Sequence, residues 1–463
     1  MTSSPKGRIR SAAPGATGDP FARLGRFAVR RRWAIVVAWV ALLVVAVPLA
    51  PQVVGSLRAG GFILDDLESA RAKAVLQEEL GAPPSAVVVV LHSATAVAGS
   101  PAFEAAAAEA IARVPEAPHV VRVVPHTLSP RQVSADGRTA YDIVLLSIAP
   151  DDSPAALPGI RERLGSPAGL DVQLAGGPAF YGDVQAVSEE DLRRSEIVSL
   201  PLAAIALLFV FGSVVAASVP LVVGGSAVVV ALAAIFLVAS VTPMSIFVLN
   251  LATLLGLGLG VDYSLLMTSR FREELTARSA EPSSERVAAA VEATVQTAGR
   301  AVFFSGLTVL LGLIGLVLFE FMILRSVGIA GAVVVLLAAI SALTLLPAVL
   351  AIVGTRIDAL AVRRVVPRDD PDGPWARLAR SVMRRPIAVL VPTLAVLLLL
   401  GSPFLHVRFN APDSTILPAS VPSRAAFDRL AAAFGEGEFA PIVLAVRTSG
   451  PATAPANVAA LHD

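Results

Sequence analysis

The sequence contains no cysteine and is poor in charged and aromatic residues. Without cysteine, a disulfide, a thiolate metal site and a cysteine nucleophile are all excluded. Charged residues make up 16% of the 463 residues and aromatic residues 5%, whereas a soluble domain carries about 25% charged residues. The 37 basic and 36 acidic residues leave a net charge of +1, which provides no basic field for nucleic acid. The composition therefore disfavours disordered, collagen-like and nucleic-acid-binding proteins.

Long apolar runs are abundant instead. Hydrophobic residues make up 55% of the chain, and the mean hydropathy is +0.73. A membrane helix needs about 20 apolar residues, and seven stretches approach or exceed that length. The first is too long for a signal-peptide core of about 7–15 residues, so we interpret it as a retained helix. The predicted spans are Trp33–Ala50, Ile197–Ala217, Val219–Ala239, Ile246–Thr268, Ala301–Phe319, Val327–Val353 and Ile387–Leu405.

The distribution of basic residues predicts how the chain is oriented. Residues 1–32 contain eight Lys or Arg and one acid, and the 356–386 loop contains eight arginines against four aspartates. An excess of basic residues marks the cytoplasmic side. Seven spans place both segments on that side, together with 269–300, and place 53–196 outside. The resulting division is a cytoplasmic N-terminus 1–32, a first helix 33–52, an outer domain 53–196, helices two to six in 197–355, a cytoplasmic loop 356–386, a seventh helix 387–405 and an outer segment 406–463.

The segment 53–196 is too polar to span and is predicted to fold as an α+β domain. Its elements alternate as strand, helix, strand, strand, helix, strand, which is the ferredoxin-like split order. The strands are expected at Ala86–Leu91, His119–Val124, Thr139–Ile148 and Asp171–Ala175, and the helices at Asp66–Leu80, Ala102–Arg113, Pro154–Leu164 and Gly182–Glu196.

The chain contains the beginning of an internal repeat. An arginine pair and an apolar helix recur, followed each time by a Ser-containing helix that ends in glycine. Ser69 precedes Gly81 by twelve residues, Ser423 precedes Gly435 by twelve, and Ser423 lies 354 residues after Ser69. A strand is expected after each, the second at Pro441–Val446. Such duplications are common in secondary transporters, and we expect the sequence to be either a fragment or a truncated gene product.

Two cytoplasmic loops are predicted to be partly helical. Valines recur at helical spacing in 284–299, and Trp375, Leu378 and Val382 form an apolar stripe among arginines. The second pattern is typical of a helix lying on an anionic membrane surface. A solvated connector with a few apolar contacts is the alternative for both.

Asp262 is the single acidic or basic side chain in the seven predicted spans. An Asp at mid-helix costs about 2.5–3.5 kcal/mol on insertion scales, so such a residue is usually functional. Burial raises a carboxyl pKa, which would let Asp262 load and release a proton. Tyr263 is the single tyrosine in any predicted span and could hydrogen-bond either state. The alternative is that Asp262 only joins helices through hydrogen bonds.

Small and polar residues surround this position. Gly256 and Gly260 form a GxxxG pattern that favours close helix packing. Ser305, in the predicted fifth span, is the candidate polar partner, although membrane serines often bond their own backbone.

Catalytic chemistry is not indicated. The five histidines lie outside the predicted spans, and none has metal-ligand spacing with a carboxylate. His119 and His126 are interpreted as strand-edge residues. The pairs Asp65–Asp66 and Asp151–Asp152 are interpreted as turn or cap residues. No enzyme activity, cofactor or metal is therefore expected.

Three segments resemble one transporter family. The stretch GLGLGVDYSLLMTSRFREEL (Gly256–Leu275) closely resembles the fourth-helix motif of the MmpL branch of the resistance-nodulation-division (RND) transporters. TAGRAVFFSGLTVLLGLIGL (Thr297–Leu316) is similar to the family's fifth helix, and Gly60-Gly61-Phe62 with Glu68–Ala72 resembles the start of its first porter domain. The resemblance covers nearly the whole chain, in the family's order.

The resemblance implies a fold of twelve helices in two repeats, each with an extracytoplasmic porter domain, of which about seven helices are present here. It implies a multi-pass protein of the bacterial inner membrane that uses the proton-motive force to export lipids or other hydrophobic molecules, as many actinobacterial members do. The family's Asp-Tyr proton relay maps onto Asp262 and Tyr263. Homo-oligomers and accessory proteins are conceivable partners.

Two other readings stay open. Sterol-sensing, lipid-receptor and protein-export accessory proteins share this architecture and have similar fourth-helix motifs. The chain could also be an inactive remnant. An Asp-Tyr pair in a second repeat would favour the pump.

Overall fold

The computed structural model describes residues 19–58, 60–61, 67–363, 373–407 and 413–435, with short pieces at 445–448, 450–451, 453–455 and 458. Phe62, the Asp65–Asp66 pair, residues 1–18 of the basic N-terminus, 364–372 of the Arg-rich loop and most of the strand expected at 441–446 lie outside these residues, as does the Trp375 side chain. The helices are α1 (Pro20–Arg30), α2 (Arg32–Leu49), α3 (Val53–Ser56), α4 (Glu68–Glu78), α5 (Pro101–Ile111), α6 (Leu157–Arg163), α7 (Gly177–Phe211), α8 (Val214–Ala239), α9 (Val248–Ala277), α10 (Ser283–Thr294), α11 (Arg300–Leu316), α12 (Met322–Leu343), α13 (Leu345–Val353), α14 (Pro374–Arg384), α15 (Pro386–Gly401) and α16 (Pro422–Phe434); the strands are β1 (Ser85–His92), β2 (Val120–Val124), β3 (Thr139–Leu146) and β4 (Asp171–Ala175).

Seven helical spans in the described residues are long and apolar enough to cross a membrane. This agrees with the predicted fold class, a polytopic helical membrane protein with an α+β domain. The spans are Arg32–Ser56, Gly177–Phe211, Val214–Ala239, Val248–Ala277, Ser283–Leu316, Met322–Asp358 and Pro386–His406.

The boundary between the second and third spans lies six residues before the predicted one. α7 ends at Phe211 rather than Ala217, because Gly212 adopts φ +67° and its N–H bonds the Leu208 carbonyl at 2.7 Å. Ser213 then caps α8 by accepting from the Ala216 N–H at 3.3 Å. A glycine and a serine thus end one helix and begin the next inside an uninterrupted apolar run.

Two segments that precede membrane spans in the sequence are continuous with those spans. The amphipathic segment Gly182–Glu196 forms part of α7, which runs unbroken for 35 residues. The segment 284–299 forms α10 and joins α11 through a π-helical turn at Val295–Gly299. A change from polar to apolar residues therefore does not interrupt either helix.

The four strands form one antiparallel sheet in the order β2-β3-β1-β4. β1 lies between β3 and β4, and both neighbours run antiparallel to it. Together with the βαββαβ chain order this is the split arrangement. The helices α5 and α6 contribute Phe103 and Ile160 to its core, which also contains Leu91 and Leu146.

The N-terminal segment contains a helix that the sequence reading treated only as a basic tail. α1 buries Ala22, Gly25 and Ala28 at one end of the bundle. A Cβ on Gly25 would lie 2.9 Å from the Glu292 Cα of α10, and Arg26 forms an ion pair with Glu292. The tail is thus docked onto α10 from residue 20 onward.

Helix α16, which the sequence pattern predicts to begin a second repeat, packs against the sheet. Ala426 and Leu430 form a buried cluster with Val90 of β1 and Ala175 of β4. The helix α4, which contains Ser69 of the predicted first copy, buries none of its residues. The segment 406–463, predicted as the start of a second domain, therefore contributes one helix to the first.

Candidate functional site

Asp262 lies on an uncovered face of α9. It is exposed, as are Leu254 (56%) and Leu266 (45%), which lie two turns before and one turn after it. Within the described chain, no hydrogen bond or ion pair holds its carboxylate. The carboxylate of Asp262 is therefore not buried among the described residues.

Tyr263 points into the bundle. Successive residues of a helix point about 100° apart, and Tyr263 is accordingly only 6% exposed. Its hydroxyl lies close to α11, because a Cβ on Gly306 would be 3.7 Å from it. The hydroxyl has no hydrogen-bond partner among the described residues. The two candidate relay residues therefore differ in their surroundings. Asp262 is exposed, whereas Tyr263 is buried in the bundle.

Two of the three glycines of α9, Gly256 and Gly260, lie at helix contacts. A Cβ on Gly260 would lie 2.8 Å from the Gly224 Cα of α8, so the two backbones touch at this level. A Cβ on Gly256 would lie 2.8 Å from Val228 of α8 and 3.2 Å from Val334 of α12. Both positions therefore require the absence of a side chain, which sets how closely α9 approaches its neighbours.

Ser305 is not brought to the pair. It is exposed on α11, and no hydrogen bond joins it to Asp262 or Tyr263 within the described residues. Thr308 bonds the Phe304 carbonyl of its own helix at 2.9 Å, as membrane threonines often do. Gly306, the neighbour of Ser305, occupies the position that faces Tyr263.

Two buried hydroxyls on α9 were not anticipated. Ser264 and Thr268 are fully buried, and neither hydroxyl oxygen has a hydrogen-bond partner in the described part of the chain. An unpaired buried polar group costs about 1–3 kcal/mol, so hydroxyls left unpaired in this way lower the stability of the folded chain. The four-residue spacing of Gly256, Gly260, Ser264 and Thr268 was the sequence signal for this face.

The far end of α9 is tied to its neighbours by charge. Arg272 forms an ion pair with Asp358 at 2.7 Å and lies over the Phe211 ring at 5.6 Å. Asp358 follows α13 and Phe211 ends α7. The fourth span is therefore linked at one point to both the second and the sixth.

The sheet domain holds a histidine between two carboxylates. His126 is 4% exposed, with Nδ1 2.8 Å from Asp142 Oδ1 and Nε2 3.3 Å from Glu104 Oε1. The prediction of a strand-edge residue is therefore wrong for His126. His119 instead adopts φ +68° next to β2. The cluster joins the turn after β2 to β3 and α5.

Asp151 separates two cavities where the first span enters the sheet domain. One, of about 540 Å³, is lined by Arg58, Ser69, Lys73 and Asp151 among others. The second, of about 410 Å³, lies between Asp151, Leu57 and α7. Burial raises the pKa of Asp151 although Arg58 and Lys73 oppose it, and burial lowers the pKa of Lys73 although Asp151 opposes it. Asp152 forms an ion pair with Arg58 at 3.5 Å.

Comparison with known proteins identifies one matching family and several similar proteins. Residues 65–389 match the model of the MMPL family. The chain is 34% identical over 442 residues to a putative membrane protein of Streptomyces coelicolor, covering 94% of this chain and 60% of that protein. It is 36% identical over 292 residues to the trehalose monomycolate exporter MmpL3 of Mycolicibacterium smegmatis, covering 57% of this chain and 28% of the exporter.

A third relative matches along most of the chain. The mycolic acid-containing lipids exporter MmpL11 of Mycolicibacterium smegmatis is 29% identical over 454 residues, which cover 94% of this chain and 46% of that protein. The chain thus spans about half the length of the curated relatives it matches along most of its length.

Proposed function

Because this chain belongs to the MMPL family of membrane transporters, we propose that it acts in the export of lipids or other hydrophobic molecules, driven by the proton-motive force. Two relatives are lipid exporters by name, for trehalose monomycolate and for mycolic acid-containing lipids. Their similarity supports the substrate class. The proposed location is the bacterial inner membrane, with the N-terminus in the cytoplasm.

The observation that carries the proposal is the uncovered, unpartnered Asp262 on α9. A charged carboxylate facing a bilayer costs about 2.5–3.5 kcal/mol, whereas the neutral acid is far better tolerated there. Protonation therefore changes which surroundings this face prefers. One proton moved across 100 mV supplies about 2.3 kcal/mol, which is comparable to that cost.

The buried face of α9 is the second element of the proposed movement. We propose that the hydroxyls of Tyr263, Ser264 and Thr268, which have no partners in the described chain, gain hydrogen bonds when α9 moves. The Gly260–Gly224 contact leaves no side chain to block sliding of α9 along α8. Asp262 would then set the position of α9, and the hydroxyls would stabilise the alternative position.

The proposed movement of α9 would reach the sheet domain through α7. Arg272 links α9 to the end of α7, and α7 begins in the sheet domain at Gly177. α7 also borders the cavity next to Asp151 through Gly182 and Gln185. We propose that a lipid headgroup occupies the two cavities around Asp151 and advances outward as α7 shifts.

The first prediction is that Asp262→Asn abolishes coupled transport. Asn cannot bind or release a proton, so lipid export in proteoliposomes with an imposed pH gradient should fall to the level of protein-free vesicles. The assay is a fluorescent-lipid flux measurement, run on this chain and on any longer product of the same gene.

The matched control is Asp191→Asn, which changes an exposed carboxylate on α7. It should transport as the unmodified protein does. Equal flux in Asp262→Asn and the unmodified protein, with both inserted and folded, would show that Asp262 does not carry the proton.

A further inference from the structure

Helix α14 has a face formed almost entirely by arginines. Arg377, Arg380, Ser381, Arg384 and Arg385 line a concave surface of about 380 Å³. The first four recur at helical spacing, so their side chains lie along one side. Arginine side chains present rigid forks of donors that match phosphate oxygens. The chemistry of the concavity is therefore suited to phosphate groups.

The opposite face of α14 is apolar and unpartnered. Leu378 (54% exposed), Val382 and Met383 (70% exposed) all point outward. Their helical positions lie about half a turn away from the arginines. In water the arginine face is well solvated, but the exposed apolar face is unfavourable. The helix as a whole is favourable where its apolar side meets acyl chains and its basic side meets anionic headgroups.

The position of α14 in the chain places it at the bilayer surface. Arg385 alone separates α14 from α15, which begins the seventh span at Pro386. The sequence from 374 to 407 contains no acidic residue, so this segment carries a net positive charge. Within the described chain, all residues of α15 are exposed.

We infer that α14 lies flat in the headgroup region of the leaflet where the seventh span begins and binds the phosphates of anionic phospholipids through Arg377, Ser381, Arg384 and Arg385. The apolar face contacts the upper acyl chains, and the arginine face contacts the headgroups. The interaction fixes the depth of α15 in the bilayer. It involves neither Asp262 nor lipid export, so it stands apart from the proposed function.

Lipid selectivity tests the inference directly. The full chain is reconstituted in vesicles of phosphatidylcholine alone or mixed with equal parts phosphatidylglycerol, and the fraction of immobilised spin-labelled phosphatidylglycerol is compared with that of phosphatidylcholine. We expect Arg377→Gln/Arg384→Gln to reduce the preference for phosphatidylglycerol by about fivefold per removed arginine, and the effect to weaken with salt.

The matched control is Arg122→Gln/Arg131→Gln, which removes two exposed arginines from the sheet domain and should leave the preference unchanged. An unchanged preference in the α14 variant overturns the inference. Loss of the preference with inorganic phosphate, but not with chloride at equal ionic strength, overturns it as well, because the site would then bind free phosphate.

Helix depth gives a second, independent readout. Because the chain has no cysteine, Ser381→Cys and Met383→Cys can each carry a single spin label. We expect the label at 383 to collide with oxygen dissolved in the acyl region and the label at 381 with an aqueous nickel complex. Equal exposure of both labels to the aqueous complex would show that α14 does not lie on the membrane.

Discussion

His126 is enclosed by two carboxylates in the sheet domain. Burial lowers the pKa of its imidazole, but the hydrogen bonds and charges of Asp142 and Glu104 outweigh burial, and the net pKa is raised. A raised pKa in the folded state means that the protonated form is favoured by folding. Its contribution to stability is full below the unfolded pKa, near 6.5, and is lost as the pH rises through the folded pKa.

We therefore predict that His126→Asn removes part of this pH dependence. The variant should also lower stability by about 1–3 kcal/mol, because the fully buried Asp142 loses its hydrogen bond to the imidazole and keeps the one from the backbone N–H of residue 126. Hydrogen exchange of the β1 and β3 amides in the full chain, measured on both sides of the raised pKa, gives the domain's stability. His119→Asn is the control, since His119 has a positive φ that Asn tolerates. An unchanged pH profile in His126→Asn would contradict the assignment.

Gly260 and Gly258 provide a matched pair on one helix. A Cβ at Gly260 would lie 2.8 Å from the Gly224 backbone, whereas a Cβ at Gly258 would have no neighbour within 4 Å. We predict that Gly260→Val separates α8 from α9 and costs about 1–3 kcal/mol, while Gly258→Val costs much less. Unfolding in a detergent titration measures both. Equal losses would show that backbone contact at Gly260 does not determine the packing.

Residue identity alone could locate Asp262 but not its surroundings. The cost of a carboxylate in an apolar run is visible in the sequence, and so is the small-residue row that contains Ser264. Which way a side chain points depends on how α9 rotates against α8 and α12. That rotation is set by contacts such as Gly260 with Gly224, which come from residues far apart in the chain.

At the scale of elements, α16 is attached to the first sheet domain through one buried carboxylate. Asp183 of α7 accepts the Ser423 N–H at 2.9 Å and the Arg161 guanidinium at 2.8 Å. It therefore satisfies a free N–H at the start of α16, as a capping side chain does. Further contacts are the apolar cluster of Ala426 and Leu430, the Arg429–Asp171 ion pair at 2.6 Å and the edge-on packing of the Phe434 and Tyr141 rings.

We predict that Asp183→Ala loosens α16 by about 1–2 kcal/mol. Amide exchange in 423–434 should accelerate, while exchange in β1 changes little. Asp428→Ala serves as the control, because Asp428 bonds Arg424 within α16 itself. If α16 exchanges equally in both variants, Asp183 does not hold it.

The elements show which boundaries hydropathy can predict. Apolar runs located seven spans because the bilayer requires their length. The break at Gly212 and Ser213 lay within one such run, where a local backbone turn, and not polarity, ends the helix. Strand ends differed by at most two residues, and β4 agreed at both ends; the differences arise because strand ends depend on partners across the sheet, as at Ser85 opposite Leu146.

At the scale of the whole molecule, the orientation of the chain is a testable prediction. The charge distribution places the sheet domain outside and the 269–300 segment inside. In intact cells, a membrane-impermeant maleimide should label Val121→Cys but not Ala280→Cys until the cells are opened. Both positions are exposed and the chain has no other cysteine. Labelling of Ala280→Cys in intact cells would contradict the predicted orientation, because it would place the 269–300 segment outside.

The unbroken course of α7 makes it a rod about 50 Å long, at about 1.5 Å per residue. A tilt of such a rod by about 5° displaces its far end by about 4 Å. A small rotation at one end therefore becomes a large displacement at the other. Pro201 lies within the rod and removes one backbone hydrogen bond there. Bending of α7 is therefore easiest near Pro201, and a bend there would change how much of a tilt at one end reaches the other.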